Sequence, residues 1–185
     1  NPGMTGVVIH NFFLDPNGTG VNGIDSAGNG VVIEGITFDG SAAPDFPVFA
    51  VQLAGMDPIV QNNTFDMTGG ANGAAIILNG GMGARILNND MTGILAAAPT
   101  FFVGSNVVMY NDAVISGNDV LVGVDQFVGQ NTVPNSFTNS VIAANTALTF
   151  FNGIDLGPTS SNTVVAGNQI IYGADGARNG VGILD

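Results

Sequence analysis

A nine-residue phrase occurs seven times along the chain, and no other feature constrains the fold as strongly. Most copies begin with Gly, Asn or Asp, continue with aliphatic residues, turn near Gly or Asn and end on an apolar residue. We number them repeats 1 to 7 and number the positions within each from 1 to 9. The copies are GVVIHNFFL (6–14), GVVIEGITF (30–38), DPIVQNNTF (57–65), GARILNNDM (83–91), DAVISGNDV (112–120), NSVIAANTA (139–147) and NTVVAGNQI (162–170).

The spacing of the phrase predicts a solenoid. Position 4 is always aliphatic, and its successive occurrences lie 24, 27, 26, 29, 27 and 23 residues apart. A local signature that returns at a period of about 26 residues is typical of a solenoid with one turn of chain per repeat. The position 4 residues are Ile9, Ile33, Val60, Ile86, Ile115, Ile142 and Val165.

Within each phrase the apolar residues alternate over short stretches, which indicates strands and not helices. We expect positions 2, 4, 7 and 9 to point inward. Position 7 is Asn in repeats 3 to 7, and identical amides stacked at a strand spacing of about 4.8 Å bond to one another. The sequence therefore predicts an internal Asn ladder made of Asn63, Asn89, Asn118, Asn145 and Asn168.

A further strand follows the phrase in most repeats, at 23–25, 51–53, 76–78, 153–156 and 182–184. Three strands per turn predict an all-β fold, a parallel β-helix of about seven coils that fills one domain, 1–185. The stretches Ser41–Pro47, Leu95–Ser105 and Gly129–Phe137 are predicted to be loops outside the helix.

Phrases such as VVAGNQI and NGIDLG resemble the parallel β-helix repeat family within the pectate-lyase-like superfamily. The resemblance runs from Gly6 to Leu184. It implies a right-handed helix. It says little about activity, because the superfamily includes lyases, hydrolases, epimerases, adhesins and tailspikes.

The charge balance argues against two classes of partner. The chain is 45% apolar but only 9% charged, and its net charge is −12. It contains no Lys and only two Arg, Arg85 and Arg178. Nucleic acid and anionic membrane surfaces both require cations, so neither is an expected partner. No apolar run approaches the length of a membrane span, so membrane insertion is not predicted.

Two further features bear on where the protein acts. Cys is absent, which leaves no disulfide framework or thiolate metal site. The chain opens at Asn1, so we expect an extracellular or cell-surface protein from which a leader or flanking sequence has been removed. Two sequons, at Asn17 and Asn62, are candidate glycosylation sites.

Candidate catalytic groups are sparse, and we predict no catalytic or cofactor-binding residue. Arg85 and Arg178 are expected about three coils apart, and His10 is a lone turn residue. Asp25 and Asp155 occupy equivalent outward positions five coils apart, too distant for a glycosidase pair. They remain weak candidates for calcium. Four other acids, for which we favour turn roles over calcium binding, are Asp66, Asp90, Asp112 and Asp119.

Position 3 is expected to face outward, yet six of its seven residues are apolar and β-branched. This lateral stripe comprises Val8, Val32, Ile59, Val114, Val141 and Val164, with Arg85 in the middle. It would be about 30 Å long. A contiguous exposed apolar surface often marks a contact site. The alternatives are that loops cover the stripe or that β propensity alone accounts for it.

Both ends of the solenoid are expected to be uncapped. Joining Asp185 to Asn1 reproduces the internal sequence pattern, and the step from Val165 to Ile9 across that join is 29 residues, as within the chain. We therefore predict that copies stack head to tail. The predicted assembly seam comprises Asn1, Met4, Val7, Ile9, Ile170, Ile183, Leu184 and Asp185.

These features predict a non-catalytic structural protein, an extracellular β-solenoid subunit that polymerises with itself into a filament. Asp155 and the Asp25 of the next copy would lie about two coils apart, which suggests a weak calcium seam. A neutral glycan is a further candidate partner. The alternatives are a segment of a polysaccharide-active enzyme, a surface adhesin of the same fold, or a trimeric viral spike.

Overall fold

The computed structural model describes residues 5–11, 13–14, 23–39, 49–66, 74–92, 101–107, 109–130, 136–173 and 181–184. Over these residues the fold is all-β, with no helix. The strands are β1 (Val8–His10), β2 (Phe13–Leu14), β3 (Ile24–Ser26), β4 (Val32–Glu34), β5 (Thr37–Asp39), β6 (Phe49–Leu53), β7 (Ile59–Gln61), β8 (Thr64–Asp66), β9 (Ala74–Leu78), β10 (Arg85–Leu87), β11 (Asp90–Thr92), β12 (Phe101–Ser105), β13 (Met109–Asn111), β14 (Val114–Ser116), β15 (Asp119–Gln130), β16 (Ser136–Thr138), β17 (Val141–Ala143), β18 (Thr146–Asp155), β19 (Val164–Ala166), β20 (Gln169–Tyr172) and β21 (Val181–Leu184).

The first sheet takes one strand from each repeat. Its order is β1-β4-β7-β10-β14-β17-β19, and every neighbouring pair is parallel. The register pairs position 3 with position 3, position 4 with position 4 and position 5 with position 5. Since position 4 carries a buried aliphatic residue in the five inner repeats, a slip of one residue would turn the core side chains outward.

A second and a third face of parallel strands complete the solenoid. β2, β5, β8 and β11 pair in one row, and β3, β6, β9 and β12 pair in another. The two rows join through β15 and β18, which are 12 and 10 residues long. In repeats 5 and 6 the strand therefore continues around the corner between the two faces. The parallel β-solenoid expected from the repeat is confirmed.

Two left-handed residues in every repeat make its turns. Position 1 has φ between 51° and 74°, and position 6 has φ between 51° and 69°. Side chains other than those of Gly, Asn and Asp are disfavoured there, which explains why these three residues define the phrase. Ala144, with φ 56°, is the single exception among these positions.

In repeats 2 to 6 the side chains of positions 2, 4, 7 and 9 are buried, as predicted. Position 4 is 0% exposed in repeats 2 to 6. The rings of Phe38 and Phe65 stack with centroids 4.8 Å apart, and those of Phe102 and Phe127 stack at 5.4 Å. Equivalent residues of successive turns thus contact one another, and the core is a set of columns.

The predictions of two loops were wrong in part. Leu95–Ser105 ends in β12, whose five residues are all buried, and β12 pairs with both β9 and β15. Gly129–Phe137 includes the end of β15 and the start of β16. Burial of Phe101, Phe102 and Val103 explains the difference, because apolar residues gain more from the sheet than from a loop. Ser41–Pro47 lies outside the described residues.

Candidate functional site

The five Asn residues at position 7 form the predicted ladder. In each step, one Oδ1 accepts hydrogen bonds from both the backbone nitrogen and the Nδ2 of the Asn in the preceding repeat. The two distances are 3.1 and 2.9 Å from Asn63 to Asn89, 3.0 and 3.0 Å from Asn89 to Asn118, 3.0 and 2.9 Å from Asn118 to Asn145, and 3.1 and 2.8 Å from Asn145 to Asn168.

The ladder has a direction and two different ends. Each Nδ2 also donates to the position 4 carbonyl of the preceding repeat, so both amide hydrogens of an inner Asn are bonded. At one end the Oδ1 of Asn63 accepts from the nitrogen of Ile36 at 3.0 Å. At the other end Asn168 is half-buried and donates to the oxygen of Ile142 at 2.8 Å. By analogy with the inner rungs, the backbone nitrogen and the second Nδ2 hydrogen of Asn168 point towards the place that an Asn of a following repeat would occupy.

The lateral stripe forms a continuous column on the outer side of the first sheet. Register pairs join Val8 through each successive repeat to Val164. Val8 and Val164 are 51% and 54% exposed, and Val141 is 36% exposed. The other apolar members are half-buried. The column is therefore accessible over its whole length, and its role as a contact surface stays a prediction.

A shallow cleft interrupts the column at Arg85. It has a volume of about 310 Å3 and is lined by Asp57, Ile59, Gly83, Arg85, Asp112 and Val114. The three charged side chains, those of Asp57, Arg85 and Asp112, are exposed. A Cβ added at Gly83 would overlap the carboxylate of Asp57, so the cleft depends on glycine there.

Sequence reasoning placed Arg85 in the stripe and Asp112 in a turn but missed this cleft. The signal was the residue order Asp, Gly, Asp at position 1 of repeats 3, 4 and 5. With repeats stacked in register, that order places a glycine between two acids, and the carboxylate of Asp57 lies over it.

Asp25 and Asp155 occupy equivalent positions, as expected, but they are separated along one column of the third face. Register places Gln52, Ile77, Gly104 and Gly129 between them. Five strand spacings correspond to about 24 Å, so one ion cannot contact both within a chain. The carboxylate of Asp25 accepts from the Nε2 of Gln52 at 3.3 Å. That of Asp155 accepts from the nitrogen of Gly157 at 3.1 Å.

The remaining candidates do not converge on one place. His10 is exposed and aligns with Glu34, whose carboxylate accepts from Gln61 at 2.8 Å. Asp90 and Asp119 are exposed neighbours on the second face. The sequon residue Asn62 is exposed, whereas Asn17 and Arg178 lie outside the described residues. Within the described ranges, no three His, Cys, Asp or Glu residues are grouped closely enough to hold a metal ion.

Tyr110 is a fully buried residue whose hydroxyl has no hydrogen bond of normal geometry. Burial raises the pKa of this hydroxyl well above its usual range. The nearby backbone of Ala84 partly offsets that rise, and the charge of Asp57 adds to it. The phenol is therefore held neutral inside the stack, next to Ala84 of repeat 4, the repeat that carries Arg85.

No protein family model, curated protein or solved structure matches this chain significantly. The part of the chain that the structure describes contains no helix long and apolar enough to cross a membrane.

Proposed function

We propose that this protein is a structural subunit that stacks head to tail with copies of itself into an extracellular filament. A non-catalytic role is consistent with the wide separation of its candidate catalytic groups. The proposal includes seven coils, one for each strand of the first sheet, a right-handed helix and a distant relationship to the pectate-lyase-like superfamily. The seven-stranded first sheet supports the coil count, and the repeat phrases support the relationship.

The observation that carries the proposal is the difference between end repeats and inner repeats. Ile9, Val165 and Ile170 are half-buried, although their counterparts in the inner repeats are at most 1% exposed. The outer edges of β1 and β19 have no strand partner among the described residues. Adding a repeat to either face would cover these side chains and pair the free edges.

The proposed seam brings together residues from both ends of the sequence. Val7 is half-buried, and Ile183 and Leu184 lie in β21, which pairs with β18. Asn1, Met4 and Asp185 lie outside the described residues.

One mismatch at the seam predicts its strength. The ladder would continue upward from Asn168, but position 7 of repeat 1 is Phe12, which offers no side-chain acceptor. A desolvated donor without a partner costs about 1–3 kcal/mol. The seam is therefore weaker than the contacts between inner repeats, and filaments should dissociate before the subunit unfolds.

Electron microscopy of the native protein, with intact mass, tests the proposal. We expect fibres built from a subunit of 18.7 kDa, with an axial repeat of about 34 Å from seven strand spacings. Ile183→Lys and Val7→Lys should each prevent assembly, because they place a charge in the seam. Thr64→Lys, on an outer surface away from the seam, is the matched control. Unchanged fibres in both seam variants, or discrete particles from the native protein, would overturn the proposal.

The calcium seam and the neutral glycan remain subordinate proposals. A chelator should shorten fibres if Asp155 and the Asp25 of the next copy share an ion, and unaffected fibres would remove the metal. The half-buried pair of the Gln61 amide and the Glu34 carboxylate supports contact with sugar hydroxyls. Binding of a neutral oligosaccharide that Glu34→Ala abolishes would favour the adhesin or enzyme-segment alternative.

A further inference from the structure

We propose that the lateral stripe is a self-complementary interface, and that the Arg85 of each copy enters the cleft of the other. Two copies would pack face to face with their stacking directions opposed. The inference does not depend on head-to-tail stacking, because it uses a different surface. It assigns the Arg85 cleft a ligand, the guanidinium of a second copy of this chain.

The order of residues along the stripe is symmetric about Arg85. Three apolar residues lie on each side of it in the sheet. A twofold axis in the plane of the interface, parallel to the strands and passing through repeat 4, reverses the order of repeats. It places Val8 opposite Val164, Val32 opposite Val141, and Ile59 opposite Val114. Every contact outside the centre is then between two β-branched apolar side chains.

The neighbouring position 5 column is compatible with the same axis. Glu34 would face Ala143, His10 would face Ala166, and Leu87 would face its own symmetry mate. No carboxylate meets another across these columns. A copy with a net charge of −12 repels a second copy, so the position 3 and position 5 columns, which oppose no two acids, are favourable places for contact.

The cleft offers carboxylates to the two Arg85 side chains, which would otherwise repel each other across the axis. Because the axis runs along the strands, position 1 of one copy faces position 1 of the other. There the Asp57 of one copy lies opposite the Asp112 of the other, and in each copy the carboxylate of Asp57 lies over Gly83. A guanidinium carries five donors in a planar fork that suits carboxylates. Each Arg85 would enter the opposite cleft and contact the carboxylates of these two acids.

The size of the face sets the expected affinity. Six strand spacings and two side-chain columns cover roughly 30 Å by 15 Å, or about 900 Å2 in total for the two copies, which is below the roughly 1,600 Å2 of a stable complex. We expect a weak dimer that forms as protein concentration rises.

The experiment measures the mass of the full chain in solution by analytical ultracentrifugation over a concentration series. Ile183→Lys is present throughout, so that filaments do not obscure the dimer. We expect a monomer–dimer equilibrium that Arg85→Glu abolishes and that Asp57→Asn with Asp112→Asn weakens at least tenfold. Gln169→Glu, which changes charge on another face, should leave it intact. Monomer at every concentration in the parent chain would overturn the proposal.

Cross-linking tests the orientation. The chain has no Cys, so introduced thiols react without background. Val32→Cys with Val141→Cys should give a disulfide-linked dimer under oxidation, since these positions oppose each other across the axis. Val32→Cys alone should form no disulfide-linked dimer, because its counterpart is an intact Val141. Head-to-tail stacking would leave the two positions three strand spacings apart, about 14 Å, too far to link. Equal cross-linking of the single and double variants would contradict the antiparallel arrangement.

Discussion

The Oδ1 of Asn118 accepts two hydrogen bonds from Asn89, one from its backbone nitrogen and one from its Nδ2, each at 3.0 Å. One oxygen thus satisfies two buried donors of the preceding repeat. The polar interior of this solenoid depends on such shared acceptors, and each can be removed by a single substitution.

Asn118→Ala should lower the free energy of unfolding by about 3 kcal/mol or more, because it leaves two donors of Asn89 buried without a partner. Asn168→Ala removes the same kind of acceptor from Asn145, but at a half-buried rung where water can replace it. That matched variant should lose markedly less. Denaturant unfolding of both measures the difference, and equal losses would contradict the role of burial.

Ala144→Gly should stabilise the protein. The residue has φ 56°, a conformation that costs a side chain about 1–2 kcal/mol, partly offset by the greater flexibility of Gly in the unfolded chain. We expect a net gain of up to about 1 kcal/mol. Ala143→Gly, one residue earlier in β17, should instead destabilise, since a strand residue gains nothing from that freedom. A gain in thermal stability from both variants would refute this explanation.

Gly123→Ala should destabilise through contact with Phe150. The ring of Phe150 lies over Gly123 on one side and Gly173 on the other, and a Cβ at either glycine would overlap it. Overpacking of this kind costs about 1–3 kcal/mol. In a double-mutant cycle, Phe150→Ala should remove most of the penalty of Gly123→Ala. Additive losses would show that the ring is not the cause.

Stability should fall above pH 10 because of Tyr110. Its pKa is raised in the folded chain by burial, whereas in the unfolded chain it lies near 10.0. The contribution is therefore complete below that value and declines by about 1.4 kcal/mol per pH unit above it. Tyr110→Phe should flatten this slope and be neutral or stabilising at pH 7, since it removes an unpartnered hydroxyl.

The control for this slope is Tyr172→Phe. Burial also raises the pKa of Tyr172, and the backbone of Gly153 partly offsets that rise. This residue is 44% exposed, so its effect on the slope should be the smaller of the two. A titration in which Tyr172→Phe flattens the slope more than Tyr110→Phe would contradict the assignment.

The sequence predicted those features that repeat at a fixed position in the phrase. The alternation around Ile33 or Ile115 defines one face of a strand, and the recurrence of Asn at position 7 defines the ladder. β12 was missed because Phe101–Ser105 lies outside the phrase, where no fixed position marks a strand. The cleft was missed because Asp57, Gly83 and Asp112 become neighbours only through register between residues far apart in sequence.

In the ladder, the number of residues between successive Asn varies, whereas the hydrogen-bond distance between their side chains does not. Asn89 and Asn118 are 29 residues apart, and Asn145 and Asn168 are 23 apart, yet both pairs keep contacts of 2.8–3.1 Å. The length of the connecting segment thus leaves no trace in the stack. An insertion between Asp66 and Ala74, for example, should lengthen the connection between two strands without changing the register of the strands or the hydrogen bonds of the ladder.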